Sequence, residues 1–169
     1  VRVIETHISW VLLTGDYAYK IKKPLDLGFL DFSTLDKRFA ACREEIRLNR
    51  RLAPDIYIGV VPITGTPQAP RVNGAGEAFE YAVKMRQFPA EATLDKLDAE
   101  GGMTAQQVES IAAALARFHL EGCDKAGADS PHGTPEAVWK PVAQNFAQIA
   151  PLLEAAADRD LLDTLSRWS

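Results

Sequence analysis

The sequence predicts an α+β fold: an antiparallel strand lobe with one long helix over residues 1–90, then the beginning of an all-helical lobe over 91–169. Three observations predict it. Apolar residues recur at every second position through most of the first 90 residues, the mark of strands with one packed face. A single helical stripe interrupts them between Thr34 and Pro54. Beyond residue 90 the pattern is helical throughout, punctuated by caps and prolines.

The segment "HISWVLL" (7–13) alternates, Thr14-Gly15-Asp16 turns, and "YAYKIKK" (17–23) runs back as its hairpin partner. With Gly15-Asp16 as a two-residue turn, Leu13 faces Ala18, Val11 faces Lys20 and Ser9 faces Lys22. Cross-strand partners share a face. One face therefore gathers an apolar floor of Val11, Leu13 and Ala18, bordered by Ser9, Lys20 and Lys22. Tyr17, Tyr19 and Ile21 point the other way, as does Trp10, which reads as core.

Ser33 or Thr34 caps the helix, and Leu35, Phe39, Cys42, Ile46 and Asn49 form its inward stripe. It ends ahead of Pro54. "IYIGVVPIT" (56–64) is β-rich, Asn73-Gly74 signals a turn, and "AFEYAVKMRQF" (78–88) alternates with Phe79, Tyr81, Val83, Met85 and Gln87 on one face. Thr93 opens a short helix. Thr104 and Gln107 form a capping box for a helix ending at Gly122. Thr134-Pro135 starts another, and Pro141 and Pro151 are expected to break the remainder into shorter pieces. "GTPQAP" (65–70) and "CDKAGADSPHGTP" (123–135) read as surface connections.

At 169 residues and 47% apolar content the chain can bury a core. A net charge of −4 argues against bulk nucleic-acid or membrane-surface binding. No apolar run approaches the ~20 residues of a membrane span, and the first residues lack the basic start and apolar block of a signal peptide. Cys42 and Cys123, with no ligand-spaced neighbours, read as reduced thiols of a cytoplasmic protein. A start at Val1 without Met, and an end in the helical "DLLDTLSRWS" (160–169) without a stop signal, predict a piece of a longer polypeptide.

The lysine-edged floor invites a nucleotide, with a flat base on the apolar part and phosphates at the ammonium group. "YAYK" (17–20) matches the "VAIK" pattern of kinase-like ATP-binding lobes, with Ala18 at the adenine-facing alanine and Lys20 at the phosphate lysine. "SWV" (9–11) lies where those lobes have the last loop glycine, a spacer and a valine. In such lobes a glutamate on the following helix holds the lysine, and the helix here carries Glu44 and Glu45. Glu45 shares a face with Leu48, Asn49 and Leu52 and is taken as the partner, Glu44 lying ~100° around the helix. "EYAVKMRQFP" (80–89) resembles the final strand and hinge before the helical lobe, with Met85 behind the adenine and Arg86 to Phe88 offering backbone groups to its edge.

More narrowly, most of residues 1–122, and above all 5–64, resembles the amino-terminal part of a bacterial group in the aminoglycoside phosphotransferase-like superfamily. That group is commonly described as a phosphotransferase-like domain followed by a P-loop ATP-binding domain. "ALARFHLEG" (114–122) looks like the first long helix of its helical lobe. The resemblance implies an ATP-dependent phosphotransferase using Mg²⁺ and a small-molecule hydroxyl acceptor, with a covalently attached C-terminal ATP-binding domain as a further partner. It implies catalytic roles for Lys20 and Glu45, and nucleotide contacts from Ser9, Val11, Ala18, Lys20, Met85, Gln87 and Phe88.

The chain departs from the family in two places. The phosphate-covering loop "ETHIS" (5–9) has no glycine. The family's "HGD" catalytic loop, with its base aspartate and metal-binding asparagine, has no match; "PHGTPE" (131–136) carries Thr134 where the aspartate belongs. No metal ligand is therefore assigned, and Mg²⁺ ligands are expected downstream. A non-catalytic kinase-like module that binds nucleotide or regulates an attached domain is the alternative. An unrelated α+β binding domain is a third reading, and it predicts that Ser9, Val11, Ala18 and Lys20 do not converge on a cleft with Glu45.

Lys22, Lys23 and the series Arg38, Arg43, Arg47, Arg50 and Arg51 read as solvated charge. His119 falls on the stripe Val108, Ile111, Ala112, Leu115 and Phe118, as a hydrogen-bonded structural histidine would. His7, in the suspected phosphate loop, fits a functional and a structural role equally. "GFLDFS" (28–33) has no mechanistic account from sequence.

Overall fold

The computed structural model describes residues 1–99 and 101–168. Its fold is mixed α+β, with two compact units, Val1–Gly122 and Cys123–Ser169. The first continues well past residue 90.

Six antiparallel strands form one sheet in the first unit: β1 (Arg2–Glu5), β2 (Ser9–Leu13), β3 (Tyr17–Lys22), β4 (Tyr57–Thr66), β5 (Ala69–Val72) and β6 (Ala78–Arg86). Their order across the sheet is β1-β2-β3-β6-β4-β5. The β2–β3 register is the expected one, with Ser9 opposite Lys22, Val11 opposite Lys20 and Leu13 opposite Ala18. Gly15, at φ 105°, supplies the positive dihedral that a tight hairpin turn needs at its first central position.

Sequence periodicity missed β1 and β5. Both are four-residue edge strands exposed along their whole length, so neither has a packed face to impose a period of two. "GTPQAP" is accordingly part of a hairpin, with Gly65 opposite Pro70 and Thr66 opposite Ala69. Pro70 is tolerated because an edge strand has a side that needs no ladder donor. Gly65 is required there: its φ is 86°, and a Cβ would lie 2.6 Å from the Ala69 carbonyl oxygen.

The crossover from β3 to β4 is α1 (Leu35–Asn49), capped by Thr34, whose hydroxyl accepts from the Lys37 N–H. It packs on β4 and β6. Cys42 is fully buried beneath it, and Phe39 stacks on Tyr81 at 4.4 Å between ring centroids. Ala18, Phe32, Ile63, Ala82 and Val83 complete the buried apolar set.

Two helices follow in this unit, α2 (Leu94–Ala99) and α3 (Ala105–Arg117), and a single π-helical turn, Phe118–Gly122, ends it. The predicted capping box is present: Gln107 N–H donates to the Thr104 hydroxyl at 3.2 Å, and Thr104 N–H to Gln107 Oε1 at 2.9 Å. The stripe of α3 is exposed, however, and His119 lies in the π-turn with an exposed side chain, not in a buried hydrogen-bonded place.

In the second unit α4 (Pro135–Ile149) is capped by Thr134 and runs through Pro141 without a break. The proline forfeits one N–H bond, and the turns on either side carry the helix across it. A 3₁₀ turn at Ala150–Leu152, containing Pro151, separates α4 from α5 (Ala156–Trp168). No helix among the described residues is long and apolar enough to cross a membrane.

Candidate functional site

The site grows out of the β2–β3–β6 register. One row across the sheet reads Leu13, Ala18, Met85; the next reads Val11, Lys20, Val83. Side chains opposite one another share a face, so Val11, Ala18, Lys20 and Met85 come together on one apolar floor. Ala18 and Val83 are buried, and Val11 and Met85 are half-buried.

Glu45 reaches this floor from α1. Lys20 Nζ donates to Glu45 Oε1 at 3.0 Å, and Lys22 Nζ donates to Oε2 at 2.7 Å. The side chains of Lys20, Lys22 and Glu45 are 28%, 7% and 11% exposed, so Lys20 is the member turned toward solvent. Burial alone would raise the Glu45 carboxyl. The hydrogen bond from Lys22 and the charges of both lysines outweigh it and hold the group below its ordinary value. Glu44 points outward and pairs with Arg47 at the surface.

Lys22 is therefore not solvated charge. Its ammonium also lies 4.9 Å from the ring centroid of Phe32, which the "GFLDFS" segment carries. Asp26 accepts from the Gly28 N–H, Asp31 accepts from the Ser33 N–H, and Phe32 N–H bonds to the Leu25 carbonyl, folding residues 25–33 into a tight loop. Asp31, which also accepts from Ser33 Oγ and Lys37, has its carboxyl held down to about 2 by the Lys37 bond first and the Ser33 bonds next.

Arg38 is likewise buried. Its Nε donates to both carboxylate oxygens of Glu80, at 3.0 and 2.9 Å, and its Nη1 to the Phe32 carbonyl at 3.0 Å. Sequence reasoning assigned Arg38 to solvent and passed over Glu80. The signal was present in the spacing: Arg38, Cys42, Glu45 and Asn49 follow one another at helical steps along a single face. Charged residues on a buried stripe need partners. Cys42, between them, has its thiol pushed up to about 11, chiefly by burial, and is chemically quiet.

Ser9 does not present its hydroxyl to the floor. It is 1% exposed, its Oγ lies 2.9 Å from Thr6 Oγ1, and its N–H donates to the same Thr6 oxygen at 3.0 Å. Ser9 clips the β1–β2 turn, in which His7 is exposed.

At the end of the floor away from Lys22, a hollow of about 460 Å³ opens, lined by Leu13, Gly15, Gln87, Phe88, Pro89 and Glu91 among others. Gln87 ties it together: its side-chain oxygen accepts from Gly15 N–H at 3.0 Å, and its own N–H donates to the Asp16 carbonyl at 3.0 Å. Arg86 N–H is similarly committed to the Ile56 carbonyl. Of the three backbone donors expected at this edge, only that of Phe88 has no acceptor among the described residues. Likewise, no group of three or more metal-ligating side chains occurs among the described residues.

Of the residues expected to converge with Glu45, Val11, Ala18 and Lys20 share its face of the sheet, and the Ser9 hydroxyl, bonded to Thr6, does not join them. Comparison with known proteins adds relatives but no activity. Over 117 residues the chain is 36% identical to uncharacterized proteins of Mycobacterium bovis and of two strains of Mycobacterium tuberculosis. The alignment covers 69% of this chain but only 22% of each relative, so the chain spans about a fifth of the proteins it matches. No family model and no solved structure matches it.

Proposed function

We propose that the strand lobe with α1 is the nucleotide-binding lobe of a kinase-like, ATP-dependent phosphotransferase whose acceptor is a small-molecule hydroxyl. The observation that carries the reading is the ion pair between Lys20 and Glu45 at the border of a floor made by Val11, Ala18 and Met85. A strand lysine held by a carboxylate from the following helix is the arrangement by which kinases position an ammonium group against nucleotide phosphates.

The charge inventory supports it. Two ammonium groups meet one carboxylate, while Arg38 and Glu80 balance each other, so the cluster carries one surplus positive charge. An anion at the exposed side of Lys20 would neutralise it. The hollow beside Gln87 and Phe88 would take the base, with the Phe88 N–H as its donor.

The described residues do not fit Mg²⁺, having no acidic cluster to hold it. A second reading, a non-catalytic nucleotide-binding or regulatory module, is favoured by Thr134. In the sequence it takes the place of the aspartate in the family's "HGD" pattern, and its hydroxyl caps α4. Both readings place the protein in the cytoplasm, where the free thiols Cys42 and Cys123 would stay reduced. Both also allow a covalently attached C-terminal ATP-binding domain.

The test is a titration of the full-length protein with a fluorescent ATP analogue and Mg²⁺, beside its Lys20→Met variant. Saturable binding that the variant loses is expected. Absence of binding by both forms would reduce Lys20 to a structural lysine.

A further inference from the structure

We infer that Gln87 is a positioning residue: it clamps the β2–β3 turn to the chain leaving β6 and thereby fixes the Phe88 N–H at the edge of the hollow, as a donor to a nucleotide base. The inference rests on the nucleotide reading of the site and deepens it. Gln87 does not touch the base but holds the group that does.

Backbone donors and acceptors at a turn and at a strand end need partners, and Gln87 supplies one of each. Its N–H donates to the Asp16 carbonyl at 3.0 Å. Its side-chain oxygen accepts from the Gly15 N–H at 3.0 Å, seventy-two residues away. On the opposite flank the Arg86 N–H donates to the Ile56 carbonyl at 2.8 Å. The chain is thus tied to the sheet on both sides just before Phe88. The Phe88 N–H belongs to the planar peptide that starts at Gln87, and it has no acceptor among the described residues. Gly15, Gln87 and Phe88 all line the hollow.

The clamp lies at the surface, with Gly15 and Asp16 exposed and Gln87 half-buried. Water can satisfy the Gly15 N–H when the side chain is lost, so global stability depends little on it. What depends on it is the alignment of the Phe88 donor, since a binding group acts fully only when its neighbours lock it in place.

Gln87→Leu removes the acceptor for Gly15, whereas Gln87→Glu keeps an acceptor and loses the amide donor. Affinity for an ATP analogue with a fluorescent label on the ribose should fall roughly tenfold in Gln87→Leu, the scale of one hydrogen bond, and stay within about twofold of wild type in Gln87→Glu. Tripolyphosphate, which has no base, should displace the analogue with the same inhibition constant from wild type and Gln87→Leu. Unchanged analogue affinity in Gln87→Leu overturns the inference. An equal loss in Gln87→Glu also overturns it, because the amide would then meet the base directly. So does a tripolyphosphate constant that weakens alongside the analogue, which would mark a disturbance of the whole lobe.

Amide exchange followed by NMR on the wild type covers the case in which Gln87→Leu does not fold. The Gly15 N–H should be protected in the free protein, and the Phe88 N–H should become protected only when the analogue is added. A fast Gly15 N–H, or a Phe88 N–H that the analogue leaves unprotected, overturns the inference. The nucleotide reading survives these outcomes as long as wild type binds the analogue and Lys20→Met does not. No saturable binding by wild type would remove both.

Discussion

Lys20 Nζ lies 3.0 Å from Glu45 Oε1, although twenty-five residues of chain separate them. The bond joins a central strand to the helix that follows it in the chain and packs on β4 and β6. Because Lys22 takes the other oxygen, one carboxylate fastens two successive same-face positions of β3, where the apolar floor begins, to α1. Stability and the candidate chemistry therefore meet in one side chain.

Glu45→Ala should destabilise the protein by about 3–5 kcal/mol, because it leaves the nearly enclosed ammonium of Lys22 without its carboxylate. Glu44→Ala, one position along the same helix, removes only a solvent-exposed contact with Arg47 and should leave the unfolding midpoint unchanged. Urea unfolding of the two variants compares them directly. Equal midpoints would mean that α1 does not depend on the Glu45 bridge.

Arg38→Ala should lower stability by about 3 kcal/mol, since it strands the Glu80 carboxylate and the Phe32 carbonyl together. Arg43→Ala, on the exposed side of α1, should change little. Thermal denaturation followed by circular dichroism would separate them. If Arg38→Ala matched Arg43→Ala, the buried stripe would have to hold by packing alone.

What the sequence discloses and what it hides divides along physical lines. The floor was legible because a two-residue turn at Gly15-Asp16 determines every cross-strand pair that follows, down to Ser9 and Lys22. The sequence singles out Glu45 by its steps to Leu48, Asn49 and Leu52, but Leu48 and Leu52 are exposed and Leu52 lies beyond α1, so of the three only Asn49 marks the inward face that Glu45 shares with Arg38 and Cys42. The partners of Lys22 and Arg38 were hidden, because a lysine on a strand or an arginine on a helix is written the same way whether water or a distant carboxylate satisfies it. Glu80 lies forty-two residues beyond Arg38, a distance that no local pattern spans. The edge strands β1 and β5 were hidden for the opposite reason: exposed on both faces, they have no pattern.

Acid should act on the same bridge. The Glu45 carboxyl is held below its ordinary value of 4.5 in the folded protein, by the Lys22 bond and the two lysine charges acting against burial. A group depressed on folding binds fewer protons in the native state than in the unfolded one. Its contribution is therefore complete above about pH 4.5, the ordinary value, and is lost as pH falls toward and through the folded value. The urea midpoint of the wild type should thus decline more steeply between pH 5 and pH 3 than that of Glu45→Gln, which has no proton to take up at this position. Parallel declines in the two proteins would show that the carboxylate gains nothing from its two cations, and the bridge would then be geometry without energetic weight.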